Sequence, residues 1–306
     1  MVSYKSRIAA SLTSAKIQLA EVFYNNNQIE LLFVDEEYFS DYLNFSHPET
    51  KILSELKRVF NEILLRGKIN SNSISFSLSD SFFKVLRLPI DSTLLEDDLR
   101  EIIKEEIKIV YPMFKNKDFI FQYAIVKKKD LFKNDFALVF VVDKQIVEII
   151  KELCSHYNFE LKFIDISHYS ANILLKAYED LCKDKYYLTF YYQDNFLSLN
   201  ILFDNKPAYY SAIYYENIIA LPDKVKEAIE LFKLDLNENL NIYKAYISGE
   251  NIPDSLSFQI GKIIGKEPEK INPFAKMKIS EKINGKIIVD KGCDFASCVG
   301  LALRIL

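Results

Sequence analysis

The side chains best suited to acid-base, nucleophilic or metal chemistry are few in this sequence, and their spacing builds no site. There are three histidines: His47 stands before a proline, His156 near the end of an apolar-periodic stretch, and His168 next to Ser167. None belongs to a Ser-His-Asp order or a nucleophile turn, so each reads as structural or solvated rather than as a base. The four cysteines, Cys154, Cys182, Cys293 and Cys298, form no C-x-x-C pair. Neither a zinc site nor a disulfide framework is encoded, and reduced, buried thiols in a cytosolic protein are the plain reading. Walker loops and paired carboxylates in a recognisable context are also missing. The expectation is no catalytic residue and no metal, which points to holding a partner rather than turning over a metabolite.

Composition limits what can be held. The chain has 306 residues, 49% of them apolar and 27% charged, enough for two or three packed subdomains. Thirty-nine Lys and Arg against 43 Asp and Glu leave a net charge of -4. That gives no basic face for a phosphate backbone, so nucleic acid is not an expected partner. At the start of the chain Ile8-Ala9-Ala10 is interrupted by Ser11, Thr13, Ser14 and Lys16, too soon for a signal-peptide core. No run of about 18 apolar residues follows, so membrane contact is expected only through a partner.

Hydrophobic periodicity supplies the elements. Apolar runs flanking Asn25-Asn26-Asn27 predict a hairpin over 15–24 and 29–34. Ile52, Leu53, Leu56, Val59, Phe60, Ile63 and Leu64 recur at helical spacing and predict a helix over 50–65. Strands are predicted over 73–78 and 82–88, the latter stopped by Pro89. Leu95, Leu99, Ile102, Ile103, Ile107 and Val110 define a helix over 93–110 with acids in its first turn and Pro112 beyond its end. Strands over 119–126 and 136–142 and a helix over 144–157 complete a small α+β module. A strand over 161–166 and a helix from Ser167 to about Cys182 follow. The opening layout then returns, with strands over 186–191, 196–203 and 208–213, a helix over 224–234, a strand over 243–248, and helices over 254–265 and 295–306. The second half repeats the element order of the first without repeating its residues.

The local text carries a resemblance. Arg87-Leu88-Pro89, the helix end Glu105-Glu106-Ile107-Lys108-Ile109-Val110-Tyr111-Pro112, the segment Ile271-Asn272-Pro273-Phe274-Ala275-Lys276-Met277 and the closing Val299-Gly300-Leu301-Ala302-Leu303-Arg304 resemble the PilM family of type IV pilus assembly proteins, in the same order and at similar spacing. The resemblance covers essentially the whole chain. It implies an α/β, actin-like (ribonuclease H-like) two-lobe fold with a small α+β subdomain inserted in the first lobe. Residues 1–80 and 160–184 would form the first lobe, 81–159 the insert and 185–306 the second lobe, with the last helix packing back toward the first.

The same resemblance sets expectations about ligands. Actin-like ATPases cradle phosphates with Gly/Ser/Thr-rich hairpin turns and hold Mg with an acidic residue on each hairpin. Here Ser11, Thr13, Ser14 and Lys16 match the family's first turn, but Ala9 stands where the family has aspartate and Arg7 where it has glycine. At the second turn Tyr192-Gln193-Asp194 replaces Asp-Ile-Gly. Beneath the adenine a Gly-Gly turn is reduced to Gly249 followed by Glu250. The expected cofactor is therefore none, or a weakened remnant of ATP with Mg. The implied partner is the N-terminal cytoplasmic tail of a PilN-like protein, with a pilus motor ATPase or a second copy of the chain as further candidates, on the cytoplasmic side of the inner membrane. A cleft between the first lobe and the insert would take the tail as an extended strand, with Phe83, Arg87, Leu88, Ile107, Tyr111 and Pro112 as candidate walls. An active actin- or sugar-kinase-type ATPase and a cell-division protein of the FtsA type are the rival readings. The first needs the carboxylates and glycines that these turns lack. The second normally adds an amphipathic helix beyond the fold, whereas this sequence stops at Arg304-Ile305-Leu306.

Overall fold

A computed structural model of the chain describes residues 6–25, 28–91, 93–127, 132–179, 181–193, 196–236, 240–283 and 285–304. The turn residues Asn26, Asn27, Asp194 and Asn195, and the terminal Ile305 and Leu306, lie outside them. The chain opens with β1 (Arg7–Leu12), β2 (Lys16–Asn25), β3 (Gln28–Tyr38), α1 (Glu49–Arg66) and β4 (Ser73–Leu78). It continues with β5 (Phe83–Pro89), α2 (Glu96–Val110), β6 (Phe119–Val126), β7 (Phe136–Asp143), α3 (Lys144–His156), β8 (Glu160–Ile166) and α4 (Ser167–Tyr178). The remainder forms β9 (Tyr186–Gln193), β10 (Phe196–Phe203), β11 (Lys206–Tyr214), α5 (Leu221–Lys233), β12 (Ile242–Gly249), α6 (Asp254–Ile264), β13 (Glu269–Lys270), β14 (Met277–Ile279), α7 (Gly285–Lys291) and α8 (Ala296–Leu303).

Two sheets share one plan. The first runs β14-β3-β2-β1-β4-β8 and the second β11-β10-β9-β12-β13. In each, an antiparallel three-strand meander is followed by two parallel strands, so β3-β2-β1-β4-β8 corresponds to β11-β10-β9-β12-β13. The repeat anticipated from element order is a repeat of sheet topology. Beyond it, β14 leaves the second half and pairs with β3, and α8 crosses α4 and lies on β1 and β2, so the chain's end is built into the first lobe.

β1 is the main departure from the predicted elements. The resemblance puts Ser11 in a Ser/Thr-rich turn ahead of a strand from residue 15, but Ser11 lies inside a strand buried on both faces and 13–15 form the turn. The small Ala9 there admits α8 on one side while Ala10 faces the α1 side, and the Ser11 hydroxyl is hidden by pairing with Ser297 at 2.9 Å. A two-faced buried strand has no alternating signature to read.

The third sheet, β5-β7-β6, is the insert. α2 covers one face of it, its Leu99, Ile103 and Ile107 packing on Leu86, Ala137, Val139 and Val141. The other face, with Phe140 and Val142, turns toward the first lobe. α3 was assigned to the insert from its position in sequence. Its Ile146, Ile149, Ile150 and Leu153 instead share a core with α1 and the first sheet, so by packing the insert ends near Asp143. The apolar stripe of α3 matched the α1 side because both helices cover the same sheet face.

Candidate functional site

Two strand edges face each other across a groove. Among the described residues β8 pairs only with β4 and ends the first sheet, while β6 pairs only with β7 and ends the insert sheet. Each therefore keeps a row of backbone N-H and C=O groups available for another strand. Between them lies a groove of about 490 Å³. Its floor is Phe83, Phe140, Val142 and Val147, and its rims are Ile120 to Ala124 on β6 and Phe163 to Ile166 on β8. One end is closed by Arg304, whose guanidinium meets Asp165 Oδ2 at 2.5 Å and stacks over the Phe163 ring, 5.1 Å from its centre. Burial pushes the Asp165 carboxyl up, and the nearby Arg304 charge only partly offsets this. The arrangement is a mainly apolar trough with polar backbone edges and one ion pair, suited to a strand of alternating apolar side chains.

Of the six wall residues expected from the sequence, Phe83 lines this groove. Ile107 is buried in the core of the insert, against which Leu88 and Tyr111 pack; the Tyr111 hydroxyl donates to Val85 O at 2.7 Å. Pro112 is exposed beyond the end of α2. Arg87 is on β5, the opposite edge, where it stacks on Phe136 and pairs with Asp235 of the second lobe. The expected wall is thus divided among the groove, the core of the insert and the β5 edge, because strand order within a three-strand sheet is not written in any one strand. The closing Gly300-Leu301-Ala302-Leu303-Arg304 run was the available signal, since it delivers Arg304 to the groove.

The interlobe cleft is occupied by the chain's own charges. Thr13 Oγ1 accepts from the N-H groups of Ala15 and Lys16, both at 3.2 Å, and so is spent within the turn, with Ser14 half-buried beside it. Lys16 is 1% exposed and points its ammonium at Glu36 (2.9 Å), Glu250 (3.2 Å) and Asp294 (4.0 Å). Gln18 Nε2 also donates to Glu36, and Lys291 pairs with it. Burial alone would lower the Lys16 pKa, but the charges of Glu250 and Glu36 outweigh it and hold the pKa above the ordinary lysine value. Burial raises Glu250 and Asp294; burial is also the largest influence on Glu36, but the attraction of Lys16 and the hydrogen bonds from Lys291, Lys16 and Gln18 together outweigh it and lower that carboxyl. Gly249, at the turn after β12, has φ +122°, and a Cβ there would lie 2.0 Å from Tyr192 O. Glu250 N-H donates to the same Tyr192 oxygen at 2.9 Å and sends its side chain to Lys16.

Further hydrogen bonds cross the same seam. Ser79 Oγ donates to Gln193 Oε1 at 2.7 Å, and Tyr210 OH donates to Asp80 Oδ2 at 2.6 Å. The imidazole of His168 sits between Thr189 Oγ1 (2.9 Å) and Ser198 Oγ (2.8 Å). Burial pushes His168 down to about 3 and Asp80 up to about 6. Both are 2% exposed or less. Among the described residues no group of three or more His, Cys, Asp or Glu is arranged to hold a metal, and no helix is long and apolar enough to cross a membrane.

Comparison with known proteins decides the fold. No family model matches the chain, and no curated protein sequence matches it. Among solved structures, a chain of the PilM-PilN type IV pilus biogenesis complex superposes with a TM-score of 0.76 at 15% identity, covering 97% of this chain and 98% of that one. A Bacteroides thetaiotaomicron protein with an actin-like ATPase fold follows at 0.56 and 13% identity, covering 89% and 95%. The fold is actin-like. The ethanolamine utilization protein EutJ from Carboxydothermus hydrogenoformans, at 0.52 and 8% identity over 98% and 89%, is a third such likeness. The PilM resemblance read from the sequence is thus met by likeness in fold over nearly the entire actin-like chain.

Proposed function

We propose that this chain is an actin-like assembly protein of a type IV pilus or related secretion machine, which captures an extended N-terminal segment of a PilN-like protein between β6 and β8. In this reading it works at the cytoplasmic face of the inner membrane, held there by that partner. The observation that carries the reading is the pair of free strand edges facing across an apolar groove, in a fold that superposes on a PilM-PilN complex chain. Main-chain pairing would fix the register, and each large aliphatic side chain buried in the trough contributes roughly 1.5–3 kcal/mol before the cost of ordering the peptide.

Titration of a fluorescent peptide copied from the N-terminal tail of a PilN-like protein tests this. Saturable binding is expected, weakened at least about tenfold by Phe163→Glu and left unchanged by Arg87→Glu, which touches the far edge. A flat titration, or equal sensitivity to both substitutions, sinks the proposal.

Nucleotide binding is weakened or lost in this reading. A triphosphate entering at Lys16 would have to displace Glu36, Glu250 and Asp294 from its ammonium and then sit beside them. Thermal unfolding should therefore be indifferent to Mg-ATP, whereas a ligand at a hundred times its Kd stabilises by about 2.7 kcal/mol. A clear rise in Tm with Mg-ATP would instead favour the ATPase reading.

A further inference from the structure

The charges around the β6–β8 groove do not balance. Of the residues that line it, Asp165 and Arg304 carry charge, and they pair with each other. A second carboxylate lies behind the floor. Asp80 stands just beyond the end of β4, and the β4–β8 register, with Ser77 opposite Asp165 and Leu78 opposite Ile166, brings it to the same end of the sheet as Asp165. Its two oxygens accept from the His168 N-H at 3.0 Å and from Tyr210 OH at 2.6 Å. Both donors are neutral: burial holds the imidazole of His168 uncharged and pushes the Tyr210 hydroxyl well up, as it does that of Tyr169 on the groove wall. Asp80 is in no ion pair among the described residues.

Two buried carboxylates therefore share one cation, and that cation is the most exposed of the three, 42% open to solvent. Burial raises both carboxyls, and the charge of Asp165 adds to the rise at Asp80. A buried charge without full compensation is costly, so a further cation arriving there is favoured. Asp165 has capacity to receive one. Oδ1 accepts from the Ile166 N-H at 2.9 Å and Oδ2 from Arg304, whereas an ionised carboxylate offers about four acceptor sites. The Phe163 ring beside it is 39% exposed and already stacks under Arg304, a surface that suits a second flat or ammonium cation.

We propose that the groove selects its peptide by a cation that meets Asp165 beside Arg304, at the end of a run of apolar residues lying in the trough. The inference rests on the peptide-capture reading and adds to it the sign of the ligand's charge and the end of the groove where that charge lies. The cation is a lysine or arginine side chain of the peptide or its N-terminal ammonium. A carboxylate in the same place would face Asp165 and Asp80 with only Arg304 to offset them, so acidic segments are rejected.

The test is titration of the full chain with a peptide copied from the N-terminal tail of a PilN-like protein and labelled at its C-terminus. It is repeated with versions in which each basic residue is replaced in turn by glutamine, and with one in which the N-terminus is acetylated. One of these neutralisations is expected to weaken binding at least about tenfold, and which one it is tells a side chain from the terminal ammonium. In Asp165→Asn the same two peptides should bind alike. In Arg304→Met their difference should widen, because Asp165 then has no cation of its own. A structural role for either residue would instead shift all the peptides together. Thermal unfolding checks that each variant is folded, and Arg304→Met carries the test if Asp165→Asn is not. Equal binding of every version by wild type, or a difference that survives intact in Asp165→Asn or fails to widen in Arg304→Met, overturns this inference and leaves peptide capture standing. A flat titration with all of the peptides overturns capture itself, and the selection with it.

Discussion

Replacing Gly300 with alanine is expected to lower the unfolding free energy by about 3 kcal/mol, measured by chemical denaturation against the wild type. Gly300 lies in α8 where that helix crosses α4, and a Cβ there would stand 2.0 Å from Ser170 O and 3.3 Å from Ala171 Cα. Those neighbours are backbone, so relief requires the two helices to separate. α8 is buried along its whole length and also covers β1 and β2; moving it disturbs the packing of the first lobe and the Ser11-Ser297 contact. Alanine is the better helix former by about 1 kcal/mol, and this gain is too small to offset the clash. Gly285→Ala is the matched control: no atom lies within 4 Å of its added methyl, and stability should hold or rise slightly. Equal effects at the two glycines would mean that the α4–α8 crossing yields easily.

The same crossing illustrates how much the sequence reveals. α1 and α2 were legible because a one-sided helix must repeat its apolar residues every three or four positions, and Leu99, Ile103 and Ile107 are indeed the buried stripe. The start of α2 was placed three residues early, because Asp91 accepts from the Thr93 N-H and hydroxyl and so makes a separate turn. The doubled sheet plan was legible as element order. β1 was not, since burial on both faces removes alternation, and β13 and β14 are too short to leave a pattern. The groove was legible only as a module beside a lobe. Which strand is an edge depends on long-range pairing, so Phe163 and Asp165 on β8 had no local mark, and Arg304 was legible only as the end of the closing Gly300-Leu301-Ala302-Leu303-Arg304 run. Asn272-Pro273-Phe274, singled out as a motif, is a turn: Asn272 Oδ1 accepts from Phe274 N-H, and Tyr178 OH donates to Pro273 O.

Lys16→Met should be as damaging as any charge change in the molecule, by roughly 3–5 kcal/mol at neutral pH. The lysine was legible as the end of a Ser/Thr-rich turn, but its partners come from β3, the end of β12 and the segment before α8, far apart in sequence. Removing it leaves Glu36, Glu250 and Asp294 together in a buried seam with Lys291 as the remaining cation. Burial already raises Glu250 and Asp294, and without Lys16 mutual repulsion raises them further. A carboxyl whose folded pKa lies above its unfolded value costs stability at pH above the folded pKa and recovers it as the pH falls through that value. The penalty of the variant should therefore be largest on the alkaline side and shrink as the pH falls and the raised carboxyls of Glu250 and Asp294 take up protons. Adding Glu250→Gln to the lysine variant removes one of the stranded charges and should restore part of the loss at neutral pH. If the variant's deficit is instead independent of pH, the cluster is not what ties the two lobes together. Closure of the cleft would then rest on the neutral contacts of Ser11, Tyr191 and Ser297 and on the buried set around Asp80 and His168.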